Sequence, residues 1–332
     1  MAEYKGVMIC GEVIEGKLAV ITTELLGCGR KLADDLGQEL YAVLAGNDIS
    51  SLAQEVIAFG ADKVYVVDDP LLKDYQTDSY VLTLEKVVKQ VMPQIFLLGQ
   101  TSIGRDLAPR LAFRMETTAS MDCLELAIDS DSKLMLQTRP VYGGNALAIF
   151  ASESYPQIAT VRAKVMSPLE RDTSRQGEVI NIEADLDPSA IRTEVLEKVP
   201  EKVEGIKLED AGVVVSGGRG IGDAEGFKQL EELAKMLNGA VGATRPPCDN
   251  GWVPDGWQVG LTGKIVTPDL YIAVALSGSS QHMSGCSGSK NIVAINKDAE
   301  ANIFKQAHFG IVGDWKKVLP AFTEKVKELL AG

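Results

Sequence analysis

An α/β fold in two domains, each built around a sheet that is parallel or mostly parallel, is the architecture this sequence predicts. Three observations carry that prediction. Short apolar runs alternate with stretches of helical period, the pattern of parallel strands joined by crossover helices. The chain has 332 residues, and at roughly 100–200 residues per domain this favours two. Charge is also unevenly divided. Residues 1–205 carry 20 Lys plus Arg against 32 Asp plus Glu, net −12, whereas residues 206–332 carry 13 against 14, net −1. Between them, Asp185–Lys207 is rich in Glu, Lys, Pro and Asp and has no apolar run, so it reads as a linker. The expected domains are 1–205, with a linker at about 185–207, and 206–332.

In the N-terminal part, the runs Gly6–Cys10, Glu39–Leu44, Lys63–Val67 and Gln94–Leu98 read as buried strands. Helical spacing lies between them, first at Leu25, Leu32 and Leu36, then at Val81, Leu84, Val87, Val88 and Val91. From about Ala119 to Val165 the pattern changes. Leu134–Tyr142 and Ala146–Ala151 resemble neighbouring strands with no helix between them. They suggest an antiparallel extension, making this sheet mixed but mostly parallel. In the C-terminal part, Ala211–Val215 is a strand that ends at Ser216-Gly-Gly-Arg-Gly-Ile-Gly. A helix follows, with Phe227, Leu230, Leu233, Ala234 and Leu237 on one face. Ala240–Ala243 ends at Thr244-Arg245, and Leu270–Leu276 ends at Ser277-Gly-Ser-Ser-Gln-His. Asn291–Ile295 ends at Asn296-Lys-Asp, and Phe309–Val312 ends at Gly313-Asp-Trp. Lys316–Leu330 closes the chain as a helix with Pro320 in its early turns.

Composition excludes several function classes. With net charge −13, the chain is a poor partner for nucleic acid or an anionic membrane, both of which reward clustered cations. The apolar run Leu270–Leu276 has seven residues, far short of the roughly 20 that span a bilayer. Met-Ala-Glu-Tyr-Lys has neither a basic nor an apolar leader. A cytoplasmic protein without membrane insertion is therefore expected. The cysteines, at 10, 28, 123, 248 and 286, are odd in number and none has Cys-x-x-Cys spacing. They read as reduced, buried small hydrophobes. With histidine only at 282 and 308, no metal site is expected.

Every C-terminal strand ends at once in Gly, Ser, Thr, Asn or Asp. In a doubly wound sheet, ligands sit outside the carboxyl ends of the strands. Glycine lets backbone approach a ligand, and free N–H groups attract phosphate. Several such turns at one sheet edge suit a dinucleotide. The NAD-type fingerprint, however, fails in both registers. Gly218 and Gly220 are followed by Asp223, and Gly220 and Gly222 by Glu225, where the third Gly belongs. Gly263-Lys264-Ile265 lacks the Ser or Thr of a magnesium-binding phosphate loop. A nucleotide- or nicotinamide-dependent oxidoreductase on the same sheet is the competing reading. Those failures, and the lack of a catalytic acid–base set, weigh against it.

The segments that decide between these readings lie between Val241 and Asp298. They are Val-Gly-Ala-Thr-Arg-Pro-Pro-Cys-Asp-Asn-Gly-Trp-Val-Pro from Val241 and Gln-Val-Gly-Leu-Thr-Gly-Lys-Ile-Val-Thr-Pro-Asp-Leu-Tyr from Gln258. With them go Ser-Gly-Ser-Ser-Gln-His-Met-Ser-Gly from Ser277 and Ile-Val-Ala-Ile-Asn-Lys-Asp from Ile292. This closely resembles the alpha subunits of electron transfer flavoproteins. The resemblance runs through 211–330 and, more loosely, through Leu98-Gly-Gln-Thr-Ser-Ile-Gly-Arg-Asp-Leu-Ala-Pro-Arg-Leu-Ala. It implies a Rossmann-like FAD-binding domain at the C-terminus, one FAD in this subunit, and a beta-subunit partner with a second FAD or AMP. It implies electron exchange with flavin dehydrogenases, acyl-CoA dehydrogenases among them. A version with NADH-driven electron bifurcation would also involve ferredoxin.

Family positions carry over residue by residue. Arg219, Thr244 and Arg245 would reach the phosphates and the ring. Val259, Gly260, Leu261 and Thr262 would line the isoalloxazine. Ser277, Gly278, Ser279, Ser280, Gln281 and His282 would wrap the pyrophosphate, ribityl chain and ring oxygen. Asn296, Asp314 and Trp315 would border the adenosine. A one-electron carrier must stabilise negative charge on its ring, which suits Arg245 as a permanent cation, His282 as a donor to the ring oxygen, and Thr262 near the ring nitrogen. No catalytic residue is expected. Leu261 stands where the family commonly has Gln, removing a polar side chain from the ring, and Cys286 stands where Met is common. Trp252 and Trp257 read as packing residues and His308 as structural.

Overall fold

The first apolar run forms β1 (Val7–Gly11), buried along its whole length. The structure, a computed structural model, describes residues 4–144, 146–199 and 205–331. Residues 200–204 of the expected linker, and residues 1–3, 145 and 332, lie outside the described residues. The chain divides into two units. One is Met1–Val141 with Leu147–Lys198, and the other is Tyr142–Ala146 with Val199–Gly332.

In the first unit, β1 is followed by a small hairpin, β2 (Val13–Ile14) and β3 (Lys17–Leu18). Next comes α1 (Val20–Leu36), which buries Leu25, Leu26 and Leu32 and stops at Gly37 with φ 64°. That left-handed stop is one glycine adopts without a Cβ penalty. Then follow β4 (Leu40–Gly46), α2 (Ala53–Ala58), β5 (Lys63–Asp68), α3 (Thr77–Val91) and β6 (Ile95–Gly99). They are succeeded by α4 (Ser102–Arg114), β7 (Ala119–Cys123), β8 (Glu125–Ile128), β9 (Met135–Val141), β10 (Ala146–Phe150), β11 (Gln157–Val161) and β12 (Glu178–Asn181).

Seven of these strands make one sheet in the order β12-β5-β4-β1-β6-β11-β7, with parallel pairing throughout. Alternation along β1 feeds two cores. Val7 and Ile9 pack with Leu25 and Leu26 of α1 on one face. Met8 and Cys10 pack with Leu84 of α3 and Leu107 of α4 on the other.

The antiparallel strands do not extend this sheet. They form their own, in the order β10-β9-β8, with β8 and β9 antiparallel. The physical reason is burial: Leu147, Ile149 and Phe150 of β10 are exposed, whereas the central strands of the large sheet, such as β1 and β6, are buried along their whole length.

The second unit holds β13 (Val213–Gly217), α5 (Ala224–Met236), β14 (Ala240–Ala243), α6 (Arg245–Asp249), β15 (Leu270–Val274), α7 (Ser280–Met283), β16 (Asn291–Asn296), β17 (Phe309–Val312) and α8 (Trp315–Ala331). Its sheet runs β14-β13-β15-β16-β17, again all parallel. The chain steps from β13 outward to β14, then returns to the other side for β15. The strand order thus reverses at β13 and β15, where a doubly wound sheet opens its crevice.

All five cysteines are free and buried. No helix among the described residues is long and apolar enough to cross a membrane.

Candidate cofactor site

At the carboxyl ends of β13, β14, β15 and β16 lies a cavity of about 630 Å³, a size typical of cofactor sites. It brings together Arg219, Thr244, Ser277, Gly278, Ser279, His282 and Asn296 of the expected set. Asp298, Glu300 and Asn302 also line it, and the sequence reading missed them.

Close backbone packing sets its walls. The turn after β13 lies against the end of β15: Gly218 N–H donates to Val274 O at 3.0 Å and Gly220 N–H to Ala275 O at 3.2 Å. A Cβ on Gly218 would stand 2.4 Å from Ala275 O, so a side chain there would force the turn away. Ala275 itself has φ 52°, a left-handed conformation that a side-chain-bearing residue adopts at a cost. Gly278 has φ 73°, and a Cβ on it would lie 2.4 Å from Ile303 N. Asn296 Nδ2 donates to Leu276 O at 2.8 Å, while its Oδ1 accepts from Asp298 N at 3.0 Å. Asp298 Oδ1 in turn accepts from Glu300 N at 3.0 Å, which curls the two carboxylates beside the cavity.

The rest of the expected set adjoins this wall. Thr244 N–H donates to Gly217 O at 3.0 Å and Val259 N–H to Ala243 O at 2.9 Å. Leu261 N–H donates to Gln281 O at 2.7 Å, holding 259–262 against the start of α7. Gly260 has φ 144°, and Gly285 packs so closely on it that a Cβ there would come 2.4 Å from Gly260 N. Thr262 Oγ1 accepts from Gln258 Nε2 at 2.9 Å, and Leu261 is exposed. Arg245 opens α6 with an exposed side chain, 3.2 Å from Asp249. Ser280 and Gln281 form the first turn of α7. Trp252 and Trp257 pack against the core as expected, and His308 Nδ1 accepts from Ile292 N at 2.9 Å within the fold.

Two expected residues, Trp315 and His282, turn their side chains into the protein, whereas Asp314 stays exposed. Trp315, expected beside an adenosine, is buried in the core. Its indole N–H donates to Gly220 O at 3.0 Å, so it braces the Arg219 turn from behind. Asp314 spends Oδ1 on Lys316 N at 3.1 Å and its carbonyl on Lys317 and Val318, as the start of α8. His282, expected to donate from its ring, is 4% exposed. Its Nδ1 lies 3.0 Å from Val259 O and its Nε2 2.9 Å from Tyr271 Oη. Both ring nitrogens are engaged inside the protein, and burial pushes the imidazole down to about 4. Burial is a tertiary property, and the sequence around Trp315 and His282 carried no signal of it.

Two doubly wound parallel sheets, one with a crevice at its switch point, define an α/β protein of the Rossmann-like kind. Residues 7–187 match the electron transfer flavoprotein domain, and residues 207–287 match the electron transfer flavoprotein FAD-binding domain. The chain is 48% identical over 330 residues to electron transfer flavoprotein subunit alpha of Thermoanaerobacterium thermosaccharolyticum, covering 99% of this chain and 100% of that one. It is 47% identical over 331 residues to the subunit alpha of Megasphaera elsdenii, covering 99% and 98%. For the subunit alpha of Bacillus subtilis the identity is 42% over 325 residues, covering 98% of each. The chain belongs to the electron transfer flavoprotein alpha-subunit family, whose work is electron transfer.

Proposed function

We propose that this chain is the FAD-holding subunit of an alpha–beta heterodimer that carries electrons between flavin dehydrogenases, acyl-CoA dehydrogenases among them, and a downstream acceptor. The observation that carries the reading is the crevice at the β13–β15 switch point. The element that starts there at Ser279 has no side-chain cap. Uncapped N–H groups suit an anionic ligand.

The residues present fit FAD. Arg219 and the backbone at 277–280 supply donors for a pyrophosphate. The Gly218 and Gly278 turns leave no room for a Cβ. Asp298 and Glu300 supply carboxylate acceptors suited to ribose hydroxyls. Val259–Thr262, Gln281 and Arg245 would border the isoalloxazine, and Asn296 and Asp314 the adenosine end. When bound, FAD supplies one- and two-electron redox chemistry. Arg245 would offer permanent positive charge to a ring that gains negative charge. Leu261 offers its neighbours only backbone and an apolar side chain. Trp315 would keep Arg219 aimed by holding Gly220.

Co-expression with the beta subunit and a visible spectrum tests the reading. A yellow complex is expected, and a colourless one would sink it. One FAD per heterodimer supports simple transfer. Two, together with reduction by NADH, would support bifurcation with ferredoxin as an acceptor.

A further inference from the structure

Tyr271 of β15 is fully buried at 0% exposure, and its hydroxyl meets His282 of α7 at 2.9 Å. On the other side of the ring, Nδ1 meets the Val259 carbonyl at 3.0 Å. A carbonyl oxygen can only accept, so Nδ1 carries the proton. Nε2 then holds the lone pair, and the phenol donates to it. The titratable groups around the ring are Tyr271 itself and Cys286, whose thiol meets the Tyr271 side chain and lies 3.6 Å from the His282 backbone carbonyl. Both stay uncharged near neutrality: burial pushes Tyr271 well above its ordinary value and Cys286 up to about 12.

We infer that Tyr271 is a positioning residue of the cofactor site, locking His282 as the neutral Nδ1–H tautomer and pinning the 277–282 turn to β15. The inference rests on the reading that this turn borders the flavin. A ring so held brings no charge to the turn. The fixed positive charge of the site then falls to Arg219 and Arg245. Protonating Nε2 would require the phenol to turn its own proton elsewhere, in a place closed to water.

The test uses the flavin-loaded heterodimer with ¹⁵N-labelled histidine; this chain contributes two signals, His282 and His308. Long-range ¹H–¹⁵N spectra distinguish the two neutral tautomers from the imidazolium. The Nδ1–H pattern is expected for His282 from pH 6 to 8. In Tyr271→Phe, the neutral ring loses its donor, so its titration midpoint rises by about one pH unit, the worth of a typical hydrogen bond. The flavin midpoint potential then climbs more steeply as pH falls, because a protonated ring favours the reduced flavin. A loss of packing alone would move the potential equally at every pH. An Nε2–H or imidazolium pattern in the unmodified chain at pH 7 overturns the inference. So does an unchanged titration in Tyr271→Phe. Should that variant fail to fold, the tautomer in the unmodified chain decides. A complex that never takes up flavin overturns the inference together with the reading beneath it, whereas a loaded complex with the wrong tautomer overturns the inference alone.

Discussion

Ala275 pays for its place in the site with backbone strain. Its φ of 52° lets its carbonyl accept from Gly220 N, but left-handed geometry costs a non-glycine residue about 1 kcal/mol. Ala275→Gly should therefore raise stability by roughly 0.5–1 kcal/mol, read as a higher urea midpoint; an unchanged or lower midpoint would show that the Cβ packing outweighs the strain. His282 makes a second, pH-dependent contribution. Burial lowers it from 6.5 to about 4, so the unfolded chain binds the extra proton between those values. Stability linked to this group is complete above pH 6.5 and is lost as pH falls toward 4, with a ceiling on the order of 3 kcal/mol. His282→Gln should flatten that part of a stability–pH profile measured in urea. Arg245→Ala should leave the fold intact, because its exposed pair with Asp249 contributes little. In a stepwise reductive titration followed by visible absorbance, the same variant should show less one-electron-reduced flavin, and an unaltered titration would refute the role given to its guanidinium.

Segments without regular structure are held at particular points, and Arg192 is one of them. Its guanidinium donates to both oxygens of Asp78 at 3.0 and 2.8 Å, and its backbone N–H adds a third contact at 3.2 Å. The Arg192 hydrogen bonds hold the Asp78 carboxyl down at about 2. That contribution is present above the ordinary carboxylate range and is lost only as pH falls through about 2. Asp78→Asn should free the segment around Arg192 at neutral pH, seen as faster trypsin cleavage there with little change in global stability. The elements themselves were largely legible. Ala240–Ala243 and Phe309–Val312 lie where their apolar runs put them, and the other expected strands start or end within two residues of their runs. Several elements were not legible, β12 and α4 among them. β12 is a polar edge strand whose only support is non-local pairing with β5, and α4 carries Gly104, Pro109 and three arginines that blur its period. At the site, the Gly and Ser turns announced themselves by chemistry. Asp298 and Glu300 did not, since carboxylates after a strand read as solvated turn residues until Asn296 is seen to curl them inward.

At the scale of the whole chain, the two matched regions, 7–187 and 207–287, leave between them a stretch in which 191–199 has neither helix nor strand. Leu196 and Val199 there are 89% and 80% exposed. Limited proteolysis should make its first cuts in this stretch; first cuts inside either sheet unit would contradict that. The net charge of −13 favours solubility and disfavours polyanions, so added heparin or DNA should leave the chain's elution volume unchanged. The buried cysteines have a practical consequence. Burial lifts Cys28, Cys123 and Cys286 to about 12, Cys248 to about 11, and Cys10 higher still, so almost no thiolate exists at neutral pH to react. The native chain is therefore a quiet background for maleimide chemistry. A single cysteine introduced at an exposed position, as in Phe113→Cys, would take a fluorophore or spin label far faster than any native thiol, with none of the five having to be removed first.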